Sequence, residues 1–123
     1  MGNVRLGIDL EKTLALRDQY DVHAFIETGT FKMGTTLLVQ PYFDRIITIE
    51  AYFPRWQNNL AKLGNEVPSN TAFWFGDSRA LLAEALDEID APCLLWLDAH
   101  WNVIVTGKQI GRASCRERVL RLV

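Results

Sequence analysis

Residues 25–36, FIETGTFKMGTT, govern how the rest of the chain is read. An apolar run ends in an acid, Glu27. A turn follows with Gly29 near its start and Gly34 near its end, and Thr35 and Thr36 then open a second apolar run through Leu37, Leu38 and Val39. Strand, glycine-bearing turn and helix start, in that order, make one βα step. The step recurs: RIITIE ends at Glu50, TAFWFGD at Asp77 and CLLWLD at Asp98, at intervals of 23, 27 and 21 residues. Each interval accommodates a strand, a helix and two turns.

The intervening segments carry helix signals. Thr35 is expected to cap a short helix that stops near Pro41. A second helix takes Pro54 in its first turn, spaces Phe53, Trp56, Leu60 and Leu63 along one face, and ends at Gly64. Asp77 or Ser78 caps a third, with Leu81, Leu82, Leu86 and Ile89 as its apolar stripe. Upstream, residues 8–20 read as a covering helix of moderate amphipathicity. CLLWLD and RIITI are apolar without clean alternation, the pattern of strands buried on both faces of a parallel sheet. The expected fold is α/β: a Rossmann-like three-layer αβα sandwich with a mostly parallel sheet.

Composition sets the bounds. The 123 residues, 49% of them hydrophobic, suit one domain with a real core. No apolar stretch approaches the roughly 18 residues of a membrane span, so the expected location is cytoplasmic, with no membrane partner. Cys93 sits in an apolar run and Cys115 in a basic one, a spacing that suits neither a disulfide framework nor a metal site. Cys93 reads as core packing.

In doubly wound sheets, ligands bind beyond the carboxyl ends of the strands, where strand order reverses. All four acids fall at that edge. The turn after Glu27 is expected to offer free backbone N–H groups and a helix N-terminus, with Gly29 allowing close approach. An acid ending the second strand, here Glu50, suits the two hydroxyls of a ribose. The turn lacks G-x-G-x-x-G, so a pyrophosphate cradle is poorly supported. Glu27 would repel a pyrophosphate and help to orient a cationic amino-acid portion instead.

Taken together, FIETGTFKMGTT, ITIEAY, WFGDSRALL and LLWLDAHW resemble the successive cofactor motifs of class I S-adenosylmethionine-dependent methyltransferases, over about residues 22–101. The E-x-G-T-F form is similar to the glycine turn of small-molecule O-methyltransferases. The resemblance implies S-adenosyl-L-methionine as cofactor. It places Glu27, Thr28, Gly29 and Thr30, with Phe31 and Gly34 of the same turn, around the methionine part. Glu50 with Ala51 falls on the ribose side, Asp77 with Ser78 beside the adenine, and Asp98 at the reaction edge. Met33 departs from it, since many relatives carry glycine there; Gly34 is expected to supply the missing freedom.

Each site residue also has a plainer reading. Glu27 and Glu50 can be solvated strand ends, and Asp77 and Ser78 simple helix caps. Trp74, with Phe73 and Phe75, reads as core rather than a stacking platform, and His23 as structural or surface. His100, two residues past Asp98, is the candidate general base for a hydroxyl acceptor, with a solvated loop histidine as the alternative. A divalent ion on Asp98 is conceivable, but no second carboxylate ligand can be assigned. The expected acceptor is a small molecule. A nicotinamide-nucleotide domain and a non-catalytic binding protein are the rival readings.

The charge changes character near the end. Residues 1–106 hold eight Lys/Arg against fourteen Asp/Glu, a net −6, while residues 107–123 hold five bases and one acid, a net +4. QIGRASCRERV, residues 109–119, shows neither helix nor strand periodicity and resembles the conceptual translation of a sequencing-library adapter. Five bases without an aromatic residue are weak support for nucleic-acid binding. The expected organisation is a partial cofactor-binding domain over 1–106 and a non-native tail over 107–123. That leaves the sheet truncated after its fourth strand, with CLLWLD as an unpaired edge.

Overall fold

The structure is a computed structural model; it describes residues 8–98 and, as backbone, the strand Val119–Leu122. Four parallel strands carry the acid-ended runs: β1 (Ala24–Thr28), β2 (Arg45–Glu50), β3 (Thr71–Phe75) and β4 (Cys93–Leu97). The sheet order is β3-β2-β1-β4, extended by a fifth strand, β5 (Val119–Leu122). Order reverses between β1 and β4, which are register neighbours from Ala24↔Cys93 to Thr28↔Leu97.

Residues 119–122 pair antiparallel with β4, from Leu94↔Leu122 to Leu97↔Val119. β4 is therefore an interior strand, contrary to the expected bare edge. Four residues are too short to show a period, but a strand flank as apolar as CLLWL exposes a full row of N–H and C=O groups that a short extended segment can satisfy. Residues 99–118 lie outside the described residues, and with them His100, Cys115 and most of the adapter-like stretch.

Helices cover both sheet faces. α1 (Leu10–Tyr20) starts at Asp9, whose carboxylate accepts the Lys12 N–H at 3.1 Å. It is far less amphipathic than its reading suggests: Thr13 is its one fully buried residue, while Leu10 and Leu16 are only partly covered by the core. α2 (Gly34–Val39) is short, and its cap is Met33 rather than Thr35, which falls inside the first turn. A 3-10 turn over Gln40–Tyr42 follows, with Pro41 stopping the α-helix as expected. α3 (Phe53–Leu63) begins with Pro54 in its first turn and ends at Gly64, both as read. α4 (Ser78–Ile89) is capped by Asp77, which accepts the Arg79 N–H at 2.9 Å; such a cap is worth about 1 kcal/mol.

Two cores flank the sheet. Phe25, Ile46, Leu94 and Trp96 point to one side, with Ile8, Val22, Val39 and Phe43. Ala24, Ile26, Ile47, Ile49, Cys93 and Leu95 point to the other, against Ala85, Leu81, Leu82, Leu86 and Ile89 of α4. The alternation follows from the two-residue period of each strand. Cys93 is wholly buried, and burial pushes its thiol up. On β3, Trp74 packs partly into the α4 side, but Phe75 is 45% exposed and belongs to a surface cluster with Phe53 and Trp56, at centroid distances of 5.1 and 5.7 Å. The expectation of a uniformly buried aromatic run fails for Phe75 because it ends the last strand on its side of the sheet. His23 is a surface residue, its imidazole between Asp21 (3.2 Å) and Asp44 (3.5 Å).

Candidate functional site

The strand ends on either side of the β1/β4 switch bring Glu27, Glu50 and Asp98 to one edge. The register sets Glu27 beside Thr48 on β2 and beside Trp96 on β4. Parallel register partners face the same side of the sheet, so Glu27, Thr48, Glu50, Trp96 and Asp98 share the face that α2 covers.

Glu27 is only 1% exposed. Its Oε1 accepts hydroxyl hydrogen bonds from Thr36 at 2.5 Å and Thr48 at 2.7 Å. Thr48 spends its proton on Glu27, so Thr30 is the donor in the 2.7 Å Thr30–Thr48 bond, and the three hydroxyls form a relay into one carboxyl oxygen. Burial pushes the Glu27 carboxyl up to about 8; the two threonine bonds offset part of that rise, and the charges of Asp98 and Glu50 add to it. At neutral pH, Glu27 holds its proton. It is a buried acid and not a solvated strand end.

Glu50 behaves differently. It is 7% exposed and accepts two backbone N–H groups, Phe31 on Oε1 at 2.8 Å and Tyr52 on Oε2 at 3.0 Å. One side chain thus fixes the β1–α2 turn and the β2–α3 turn relative to each other. Each carboxylate oxygen keeps a second lone pair for a ligand hydroxyl.

The first part of the turn is tethered where free donors were expected. Gly29 N–H and Thr30 N–H both donate to the Ile49 carbonyl (2.8 and 3.3 Å), Phe31 N–H to Glu50, and Met33 N–H to the Thr30 carbonyl (2.9 Å). A phosphate arriving there would have to displace these bonds. Gly29 takes the left-handed φ of 85° that its type permits, but Phe31 (φ 53°) and Met33 (φ 71°) do so without being glycine. Met33 is 4% exposed, so core burial of its side chain compensates the left-handed backbone. Gly34 does not supply the freedom assigned to it: its φ is not positive, and a Cβ there meets nothing within 4 Å. Gly34→Ala is therefore expected to stabilise the fold by about 0.5 kcal/mol through a less flexible unfolded chain. Thermal denaturation checks this; a lower midpoint would contradict it.

Phe31 is held at three further points beyond Glu50. Its carbonyl accepts from Asn59 Nδ2 at 2.8 Å, its ring lies 4.5 Å from the Arg55 guanidinium, and Lys32 Nζ sits 5.8 Å from the ring centre. Asn59 is 2% exposed on an otherwise polar helix stretch.

Thr28 is buried, and its carbonyl and hydroxyl both receive the Asp98 N–H, at 3.0 and 3.3 Å, which ties β1 to β4 across the switch point. Ala51 is exposed beside Glu50, and Ser78 is buried at the first position of α4. Asp77 is held by Arg79, whose guanidinium donates from Nε to both oxygens at 3.1 Å and from Nη2 to Oδ2 at 2.7 Å; these bonds hold the Asp77 carboxyl below its ordinary value. Its capping role is thus present, with any ligand contact added to it. Among the described residues, no three His, Cys, Asp or Glu side chains gather in a way that could hold a metal ion.

No protein-family model matches the chain, and no curated protein does. Among solved structures, the chain is similar to one described as the methyltransferase domain of bacterial CtHen1-CN, with 11% identity, coverage of 81% of this chain and 72% of that one, and a TM-score of 0.45. A likeness of that degree does not decide a function. What the chain's own geometry establishes is a Rossmann-like sheet with three acids at its switch point. No helix among the described residues is long and apolar enough to cross a membrane.

Thr36, Thr48, Asn59 and Trp96 escaped the sequence reading. Thr48 had a visible signal: it is the polar residue in RIITIE, two positions before Glu50 and so on the same face. Thr36 was visible only as a helix opener, and Asn59 carried no mark that set it apart from the other polar residues of α3.

Proposed function

We propose that this α/β unit binds S-adenosyl-L-methionine across the carboxyl ends of its parallel strands, and that the protein transfers the methyl group to an oxygen or nitrogen of a small-molecule acceptor. The observation that carries the reading is the pairing of a buried, proton-holding acid under the turn with a second acid that braces both neighbouring turns. Such a site favours a ligand with a cationic end and a diol, and it disfavours a pyrophosphate on two counts. Glu50 and Asp98 repel one, and the Gly29, Thr30 and Phe31 N–H groups are already committed.

When bound, the cofactor supplies an electrophilic methyl group on a sulfonium. The chain's residues do the rest. Glu50 accepts the ribose hydroxyls without moving, because its two backbone donors already fix its carboxylate. Glu27 gives up its proton as a cationic group settles nearby, and the resulting charge pair replaces a buried neutral acid. Ser78 and Ala51 border the base, with Asp77 tied to Arg79 at the start of α4. Asp98, anchored through its N–H to Thr28, stands at the edge where the acceptor must approach. To a methyl transfer from the bound cofactor, the chain's main contribution would be positioning. A base for the acceptor proton is assigned to His100, which lies outside the described residues.

The rival nicotinamide-nucleotide reading is separated by direct binding. In calorimetric titrations at pH 8, S-adenosylhomocysteine is expected to bind and NAD to give no heat beyond dilution; the reverse pattern would overturn the proposal.

A further inference from the structure

Among the described residues, β3 closes the sheet on one side, and an end strand presents a row of backbone groups to whatever approaches it. Its bonds to β2 run through the even-numbered residues: Ile46 N–H donates to the Asn70 carbonyl at 2.7 Å and Gly76 N–H to the Glu50 carbonyl at 3.0 Å. In a parallel ladder alternate residues face opposite neighbours, so the N–H and C=O groups of Thr71, Phe73 and Phe75 point outward. Such edges are ordinarily blunted by a lysine, a proline or a bulge. Residues 70–76, NTAFWFG, contain no charged residue and no proline, and the register against β2 runs unbroken from Ile46↔Thr71 to Glu50↔Phe75.

Trp56 stands in that opening. Its indole, reaching over from α3, donates Nε1–H at 3.0 Å to the carbonyl of Phe73, the middle one of the three outward residues, and so occupies the approach to it. The ring packs with Phe53 at 5.6 Å and Phe75 at 5.7 Å, and those two rings meet edge-on at 5.1 Å. Thr71 N–H is engaged as well, by the Pro68 carbonyl at 3.1 Å. An added antiparallel strand exchanges both an N–H and a C=O with each outward residue it pairs. Thr71 and Phe73 each have one of the two taken, which leaves Phe75 to offer a complete pair, and a single pair does not hold a strand in water.

We propose that the Trp56 indole guards the β3 edge, and that the partner it excludes is a second copy of this chain pairing β3 to β3. The composition of the segment selects that partner. An uncharged run of threonine and aromatic residues is self-complementary: two copies meet antiparallel about a two-fold axis with no like charges opposed and aromatic rings across from one another. Phe53 and Phe75, both 45% exposed, border the same edge and add apolar surface to such a contact. With the indole gone, Phe73 recovers its carbonyl, so Phe73 and Phe75, consecutive outward residues, each offer both groups to a partner strand. None of this depends on which ligand the switch point binds.

The test is amide hydrogen exchange, read residue by residue on the 15N-labelled full chain at a low and a high protein concentration. In the wild type, Phe73 and Phe75 are expected to exchange rapidly at both. In Trp56→Ala, the same two amides are expected to exchange about tenfold more slowly at the higher concentration, where sedimentation shows a dimer. Trp56→Phe keeps an aromatic ring in place and loses the donor; it is expected to show the same gain to a smaller degree, and it decides the matter if Trp56→Ala does not fold. Phe73 and Phe75 amides that stay rapid at both concentrations in a folded variant overturn the proposal, as does concentration-dependent protection of the two in the wild type. A variant that loses protection throughout β1, β2 and β4 with no gain at Phe73 and Phe75 overturns it too, because Trp56 is then a packing residue alone.

Discussion

Glu27→Gln is expected to stabilise the ligand-free fold at pH 8.5, by on the order of 4 kcal/mol, while weakening ligand binding. The folded chain keeps the Glu27 proton up to about 8, whereas the unfolded chain releases it around the ordinary carboxyl value of 4.5. Between those values the unfolded state binds fewer protons, so stability falls as pH rises, by about 1.4 kcal/mol per unit, and levels off above the folded value. The contribution is fully present below the ordinary carboxyl range and lost above about 8. Glutamine copies the neutral acid: it retains an oxygen for Thr36 and Thr48 and cannot ionise. Urea denaturation at pH 5 and pH 8.5 measures the effect. The wild type should lose stability between the two and the variant should lose several kcal/mol less. Parallel losses in both would show that Glu27 is an ordinary carboxylate. The gain in stability comes with a cost in binding: the variant cannot supply the charge that a cationic ligand calls up, so its affinity for S-adenosylmethionine at pH 8.5 is expected to fall at least tenfold and to lose its rise with pH.

The second large effect belongs to Glu50. Glu50→Ala removes the shared acceptor of the Phe31 and Tyr52 N–H groups and frees a turn whose Phe31 has a φ of 53°. A stability loss of about 2 kcal/mol follows from the charge-assisted bonds, moderated by water reaching the loops. The effect on binding is greater. Two ligand hydroxyls lose their acceptor and the turn loses its fixed position, so affinity for S-adenosylhomocysteine should drop about a hundredfold or more. Calorimetry on the variant, with near-ultraviolet circular dichroism as the folding control, checks this. A non-catalytic interaction protein on the same fold predicts an unchanged dissociation constant.

The architecture was legible because its signals are local. Pro54 and Gly64 bracket α3, Asp77 caps α4, and the unbroken apolar runs of RIITI and CLLWL mark strands covered on both faces. The four acids at the strand ends, spaced by one βα unit each, marked the carboxyl edge of the sheet. What escaped depends on relations between strands. That Thr48 and Thr36 share one oxygen of Glu27 requires knowing the register of β1 against β2 and the seat of α2. The same holds for the protonation of Glu27, which follows from burial that no single segment reveals. Free N–H groups were expected in the turn because glycine-bearing turns before helices usually offer them. Here Ile49 and Glu50, from the neighbouring strand, accept those of Gly29, Thr30 and Phe31 instead. Met33 takes the left-handed conformation a glycine would normally occupy, since its side chain is needed in the core. β5 was unreadable for a simpler reason: VLRL has four residues and follows a stretch without period.

The most direct test of the central claim is an amide chemical-shift map of the 15N-labelled chain titrated with S-adenosylhomocysteine at pH 8. The largest shifts are expected to fall together on Gly29, Thr30, Phe31, Ala51, Tyr52, Ser78 and Asp98, the rim of the switch point. Shifts confined to other surfaces, or no shifts at millimolar ligand, would contradict it.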